Sequence, residues 1–89
     1  MHWSHAKDPD DNADYAIDWS NLLAGDTIQA SEWIVPEGLV AGDSAVAGDV
    51  TTLWLSGGTH GTVYQVTNRV TTLGGRRLDR SVALLVRNR

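Results

Sequence analysis

The sequence contains no cysteine. This absence excludes a disulfide framework, thiol catalysis and thiolate metal sites, so the fold must be stabilised by packing. No run approaches the ~20 apolar residues of a membrane helix, and residues 1–14 are too polar to hold the apolar core of a signal peptide. We therefore expect a soluble chain that is made in the cytoplasm.

The chain is also too short for a large architecture. Its 89 residues, 42% of them hydrophobic, describe one small globular domain rather than two domains or a disordered chain. A domain of this size buries roughly 60 to 65% of its unfolded surface, which leaves no room for a deep cofactor cavity. We expect no cofactor and no large-enzyme fold.

Basic residues are almost missing from the first half of the chain. Residues 1–50 carry ten acids against Lys7 alone, a charge of −9, whereas residues 51–89 carry six arginines against Asp79 alone, a charge of +5. This asymmetry predicts either two interaction surfaces of opposite sign or neutralisation between neighbouring strands.

The residues that are present favour strands. Nine glycines, two prolines and frequent Thr and Val disfavour helices, and short alternating runs are separated by glycine-containing turns. The pattern predicts an all-β fold, a single immunoglobulin-like antiparallel β-sandwich of about six or seven strands. It spans residues 13–89 and follows an extended polar N-terminal arm, residues 1–12.

Individual elements can be placed by their alternation. Residues 20–25 predict a helical turn with Ser20 as its N-cap and Gly25 at its end, and the second strand changes parity, which predicts a bulge near Ser31 and Glu32. A compact hairpin at 73–76 joins the last two strands. The strands are predicted at 13–19, 27–35, weakly at 44–46, and at 50–56, 61–72 and 77–87.

Two kinds of aromatic residue stand out. Tyr64 follows a glycine-rich turn at the start of the penultimate strand, where immunoglobulin-like domains place a tyrosine whose hydroxyl bonds back to an upstream backbone group. Among Trp19, Trp33 and Trp54, which lie in strand patterns, we expect at least one in the core. Trp3 lies in the polar arm, so it is either an interface anchor or a disordered terminal residue.

No metal site is predicted. Polar residues at alternate positions of 8–14 resemble the start of an EF-hand loop, but Ala13 occupies the glycine position and Trp19 the position of the closing glutamate. His2 and His5 lack a third ligand.

No catalytic group is predicted either. His60 lies in a turn without a nucleophile or acid at a recognisable spacing. The glycine doublets match no phosphate-binding motif, and no pair of acids suggests a glycosidase.

Arginines cluster near the end of the chain, at Arg76, Arg77 and Arg80. A net charge of −4 and an isoelectric point near 5.0 argue against nucleic acid as the partner. Acidic groups on another protein are the expected targets.

Six segments of the sequence form one pattern by their order and spacing: 7–11, 14–20, 23–28, 54–59, 61–72 and 75–76. Together they resemble the small proteins of tailed phages and prophages known as fiber-tail adaptor proteins, over residues 7 to about 86. The resemblance implies a non-enzymatic, immunoglobulin-like virion component that joins or decorates parts of the particle, and it transfers no functional residues.

We therefore predict a structural virion protein, made in the host cytoplasm, that docks in several copies onto tail, fiber, baseplate or head-tail subunits, without nucleic acid or membrane. The alternative is a carbohydrate- or host-surface-binding module whose glycan binding is lost on Trp3→Ala or Trp54→Ala. The candidate partner-binding residues are Trp3, Asp8, Asp10 and Asp11 in the arm, and Arg76, Arg77 and Arg80 at the last hairpin.

Overall fold

The computed structural model describes residues 12–87. This part of the chain is all-β apart from one helical turn, as predicted. Its elements are β1 (Ala13–Asp18), α1 (Ser20–Leu23), β2 (Ile28–Ile34), β3 (Leu39–Ala47), β4 (Val50–Gly57), β5 (Val63–Thr72) and β6 (Arg77–Leu85).

The strands form two antiparallel sheets of three strands each. One sheet has the order β1-β4-β3 and the other the order β2-β5-β6. These orders correspond to the B-E-D and C-F-G strands of an immunoglobulin-type sandwich, so the topology is compatible with the predicted fold.

The core lies between the two sheets. In β1 the inner residues Tyr15 and Ile17 are buried, and in β5 the inner residues Tyr64, Val66 and Val70 are buried, as their alternation predicts. Two clusters fill the interior. One contains Tyr15, Leu39, Leu53, Leu55, Tyr64, Val66, Leu84 and Val86; the other contains Ile17, Trp19, Leu23, Ile28, Val70 and Val82.

The bulge in β2 lies earlier than the alternation predicts. The register shifts between Ile28 and Ala30, not near Ser31 and Glu32. Ser31 lies opposite the buried Val70 and is itself half-buried. Because this inner position holds a hydroxyl instead of an apolar group, the hydrophobic pattern placed the irregularity too late.

β3 is longer than predicted. The alternation indicated only residues 44–46, but the strand spans Leu39–Ala47, and every residue after Leu39 is exposed. β3 pairs with β4 at one edge of its sheet, and Gly42 and Asp43 interrupt the register opposite Trp54. The residues of such an exposed strand do not alternate between buried and exposed positions, so the sequence pattern of apolar and polar residues does not show the full length of the strand.

The ends of α1 also differ from the prediction. Trp19, not Ser20, is the N-cap, and it makes no side-chain capping bond. The N–H of Ser20 donates to Oδ1 of Asp18 at 2.9 Å, which lowers the pKa of Asp18. The C-cap is Ala24, which has a left-handed φ of 50°, and Gly25 follows it.

Candidate docking surfaces

The predicted partner-binding residues fall into two groups. Trp3, Asp8, Asp10 and Asp11 lie outside the described residues. The three arginines of the last hairpin are described: Arg76 lies in the turn, and Arg77 and Arg80 lie on opposite faces of β6.

Arg76 contacts its own chain. Its guanidinium donates to the carbonyl oxygens of Leu22 and Leu23 at the end of α1, and its Nε donates to Oδ2 of Asp26 at 3.3 Å. A cation beside the last carbonyls of a helix satisfies acceptors that have no partner within the helix. Arg76 therefore fastens the β5–β6 turn to α1.

Asp26 is the centre of this contact. Its Oδ1 accepts the backbone N–H groups of Thr27 at 2.8 Å and Gly74 at 3.0 Å. Hydrogen bonds from the side chain of Thr72, from these N–H groups and from Arg76 lower the pKa of Asp26 to about 2. We call Asp26, Arg76 and the groups that they bond the hairpin clamp.

Arg77 lies on the outer face of the β2-β5-β6 sheet. It is paired with Thr71, and both line a shallow recess with Glu32 and Arg69. Next to it, Arg69 forms a two-pronged ion pair with Asp79, at 2.8 and 3.0 Å. This pair lowers the pKa of Asp79 and raises that of Arg69.

Arg80 lies at an inner-face position of β6. It is paired with the buried Asn68, it is half-buried, and its Nη1 donates to the backbone oxygen of Asp18 at 3.4 Å. The three arginines thus do not form one patch: Arg76 binds the helix end, Arg77 faces outward, and Arg80 reaches toward β1.

An apolar area lies on the same outer face as Arg77. Val63 and Leu85 are directly paired and are 60% and 36% exposed, and Ile34 is 44% exposed on β2. These residues are not among the predicted partner-binding residues. The signal that could have found them is that apolar residues occupy positions where the alternation of the strands calls for polar ones.

The tryptophans occupy three different environments. Trp19 is fully buried, which confirms the predicted core tryptophan, and Trp33 is half-buried. Trp54 is 41% exposed on the outer face of the β1-β4-β3 sheet, where it lines a recess with Asp43 and Asn12.

The predicted tyrosine contact is also present. The hydroxyl of Tyr64 accepts the backbone N–H of Thr59 at 3.0 Å, and the hydrogen bonds with Thr59 lower the pKa of Tyr64. The contact holds the turn before β5 against the end of the core.

The most connected polar group in the interior was not predicted. Asn68 is fully buried, and its side chain bonds to Trp19, Thr51, Ser31 and the backbone of Glu32. The alternation of β5 places position 68 on the inner face, but an asparagine there suggested no core role.

The described residues contain neither a metal-binding cluster nor a membrane-spanning helix. Within residues 12–87, no three His, Asp or Glu side chains are grouped so that they could hold a metal ion. The described helix, α1, is too short to cross a membrane.

Comparison with known proteins identifies the family. No curated protein matches the chain. The family model described as "Podophage GP4 fiber-tail adaptor protein gp77" matches residues 7–85, nearly the whole chain and almost the same range as the resemblance seen in the sequence. The chain therefore belongs to the podophage GP4 fiber-tail adaptor family, a family of structural phage proteins.

Proposed function

We propose that this chain is a non-enzymatic fiber-tail adaptor that resides in the virion, is made in the host cytoplasm, and joins tail and fiber subunits through protein–protein contacts in several copies per particle. The observation that carries the proposal is the family match over residues 7–85. The isoelectric point near 5.0 supports protein partners rather than nucleic acid, since long-range attraction to phosphate is weak for an acidic protein.

The outer face of the β2-β5-β6 sheet is the first proposed docking surface. On this face Ile34 and the Val63–Leu85 pair are exposed and apolar, and Arg69 and Arg77 are charged. The Val63–Leu85 pair and Arg77 lie at opposite ends of the β5–β6 ladder. Protein interfaces combine an apolar centre with a polar, hydrogen-bonding rim, and this face offers both on one rigid sheet.

Arg76, Arg77 and Arg80 contribute to this docking in different ways. Arg77 extends from the outer face and meets an acidic group of a partner. Arg76 and Arg80 bond to backbone oxygens of their own chain, so they order the hairpin end from which Arg77 projects.

The arm of residues 1–12 is the second proposed docking element, with residues 13–89 as the folded domain. Trp3 serves as an apolar anchor on a neighbouring subunit, and Asp8, Asp10 and Asp11 face basic partner groups. The family match begins at residue 7, so Trp3 lies outside the matched range and the three acids lie inside it.

The test is complementation of a phage that lacks this gene. Particles assembled without the protein should contain tails but lose fibers, and supplying the full chain should restore fibers and bring the protein into purified virions, as detected by mass spectrometry. Fibered, infectious particles that form without the protein would exclude the adaptor role.

Matched variants separate the two docking elements. Arg77→Ser should reduce fiber content, whereas Arg87→Ser, an exposed arginine beyond β6, should not. Deletion of residues 1–6 removes Trp3 alone among the proposed contacts, and deletion of residues 1–11 also removes the acids. If all of these variants restore fibers as well as the wild type does, the proposed contacts are wrong although the adaptor role stands.

A further inference from the structure

Trp54 lies between two carboxylates on the outer face of the β1-β4-β3 sheet. In the register of β1 and β4 it is directly opposite Asp14, so the two side chains share one side of the sheet with Cβ atoms about 4.5 to 5.5 Å apart. On its other side the bulge of β3 places Gly42 and Asp43 opposite it. An exposed indole is thus bordered by an acid on each neighbouring strand.

A recess of about 360 Å³ opens beside this indole. It is lined by Asn12, Gly42, Asp43 and Trp54. A Cβ atom at position 42 would lie 3.5 Å from Cβ of Trp54, so the glycine leaves the space above the β3 backbone clear. The recess joins a flat aromatic surface, a carboxylate and a carboxamide.

Among the described residues, the β1-β4-β3 sheet that carries the recess has no lysine or arginine. Residues 8–68 include neither lysine nor arginine. The charged side chains of β1, β3, β4 and the turn between β3 and β4 are therefore all acidic. Carboxylates that lack a cation on their own sheet raise the local concentration of cationic ligands, and the face of an indole attracts cations through its quadrupole. Both effects therefore favour a positively charged ligand.

We propose that the recess at Trp54 binds an arginine side chain from another virion subunit, an inference that rests on the adaptor function proposed above and names a partner chemistry for it. A guanidinium is planar, so it stacks on the indole of Trp54 while its N–H groups donate to Asp43 and Asp14. An ammonium group lacks this planar match.

The described arginines of this chain lie away from the sheet that carries Trp54. All five are in or just after the β5–β6 hairpin, and three of them, Arg69, Arg76 and Arg80, already donate hydrogen bonds to groups of their own chain. We therefore place the source of the guanidinium on a different subunit. A neutral sugar could stack on Trp54, but it would leave the two carboxylates without a counter-charge.

The test uses the isolated full chain and two matched peptides in ¹H–¹⁵N NMR. The probes are blocked glycine pentapeptides with a central arginine or a central citrulline, which has nearly the same shape without the charge. The indole N–H signal of Trp54 is assigned as the signal that disappears in Trp54→Phe. The arginine peptide should shift this signal saturably, and the citrulline peptide should bind at least several-fold more weakly.

Acid variants supply the matched control. Asp43→Asn should weaken arginine-peptide binding roughly two- to fivefold, the size expected for a charge contact at an exposed site. Asp49→Asn changes the net charge equally at the far end of β3, in an exposed turn, and should weaken binding less. Equal effects of the two variants, or equal binding of the two peptides, would contradict a specific guanidinium site.

Other occupants give distinct results. A shift of the Trp54 signal by oligomers of N-acetylglucosamine, with none by the arginine peptide, would overturn the proposal in favour of a glycan. A shift on raising the protein concentration without peptide, lost in Arg77→Ser, would overturn it in favour of a second copy of this chain. Trp54→Ala protein that enters fibered virions normally would reject this site alone, whereas fibered particles that form without the protein would reject the adaptor function.

Discussion

At the scale of single residues, Asn68 connects the two sheets. Its Oδ1 accepts the indole N–H of Trp19 at 3.0 Å and the hydroxyl of Thr51 at 2.7 Å. Trp19 directly follows β1 and Thr51 lies in β4, so both belong to the β1-β4-β3 side of the sandwich. Its Nδ2 donates to Oγ of Ser31 and to the backbone oxygen of Glu32, both at 2.9 Å, in β2. One buried amide therefore satisfies several interior polar groups at once.

Asn68→Leu should destabilise the protein by about 2 kcal/mol, because the buried hydroxyl of Thr51 loses its acceptor, the indole N–H of Trp19 keeps only Thr51, and both bonds donated to β2 are lost. Urea unfolding followed by tryptophan fluorescence measures this change. Ser31→Ala removes only one half-buried bond and should cost about 0.5 to 1.5 kcal/mol. If Asn68→Leu is at least as stable as Ser31→Ala, the hydrogen bonds of Asn68 add little to the free energy of unfolding.

At the scale of elements, the hairpin clamp attaches the β5–β6 turn to α1. The two elements are about fifty residues apart in the chain, and the bonds of Asp26 and Arg76 join them beside the backbone bond from Leu73 N–H to the oxygen of Thr27, 2.9 Å long. A four-residue helix is not stable by itself, so α1 depends on such contacts.

Asp26→Asn should lower the melting temperature at about pH 6 but not at about pH 2. The pKa of Asp26 is depressed from 3.8 to about 2 by folding, so its stabilisation is complete above pH 3.8 and is lost as the pH falls toward 2. Differential scanning fluorimetry of the two proteins across this range measures the difference.

Asp49→Asn is the matched control for this prediction. It removes an equal charge from an exposed turn outside the clamp, and it should leave the melting temperature at about pH 6 nearly unchanged. A gap between the wild type and Asp26→Asn that persists undiminished at about pH 2 would mean that the carboxylate charge is not what stabilises the clamp.

At the scale of the whole molecule, one end of the core closes where the chain passes from β4 to β5 in the other sheet. Gly58 lies in this passage with a φ of 102°. A Cβ atom there would lie 2.8 Å from Val86, which follows β6, and 3.2 Å from Leu39 in β3, two side chains that come from opposite sheets and pack in one core cluster. The two layers approach closely only because this residue has no side chain.

Gly58→Ala should therefore destabilise the protein by about 1 to 3 kcal/mol more than Gly25→Ala. Both glycines have positive φ, so both substitutions strain the backbone, but a Cβ atom at Gly25 meets nothing within 4 Å. Urea unfolding of the two variants separates the strain from the overpacking. Equal losses of unfolding free energy would show that the core around Gly58 accommodates the added methyl group without cost.

The described arginines occupy one part of the folded molecule. The arginines of the described residues lie in or beside the β5–β6 hairpin, and the β1-β4-β3 sheet has none. The structure shows neutralisation between the two halves of the chain at one ion pair, and the interaction surfaces stay a proposal. Asp26 and Arg76 neutralise each other across the two halves of the chain, while the acids around Trp54 and the outward Arg77 stay available for the docking that we propose.

The strands with one buried face were predictable from the sequence. Alternation located β1, β4, β5 and β6 and the β5–β6 hairpin, because burying one face of a strand imposes a period of two on its residues. The bond of Tyr64 followed from a different signal, the glycine-rich turn before the penultimate strand of an immunoglobulin-like domain. The same rule fails for β3, which is exposed after Leu39, and misplaces the bulge of β2, where a hydroxyl faces the core.

The sequence by itself determined the fold class, the inward-facing strand residues and, through the order of its segments, the family. Only the tertiary structure decided that Arg76, Arg77 and Arg80 separate, that Asn68 joins both sheets, and that Trp54 lies between Asp14 and Asp43. Burial periodicity is a local property of each strand, whereas these contacts depend on strand pairing and register across the chain, which no local pattern encodes.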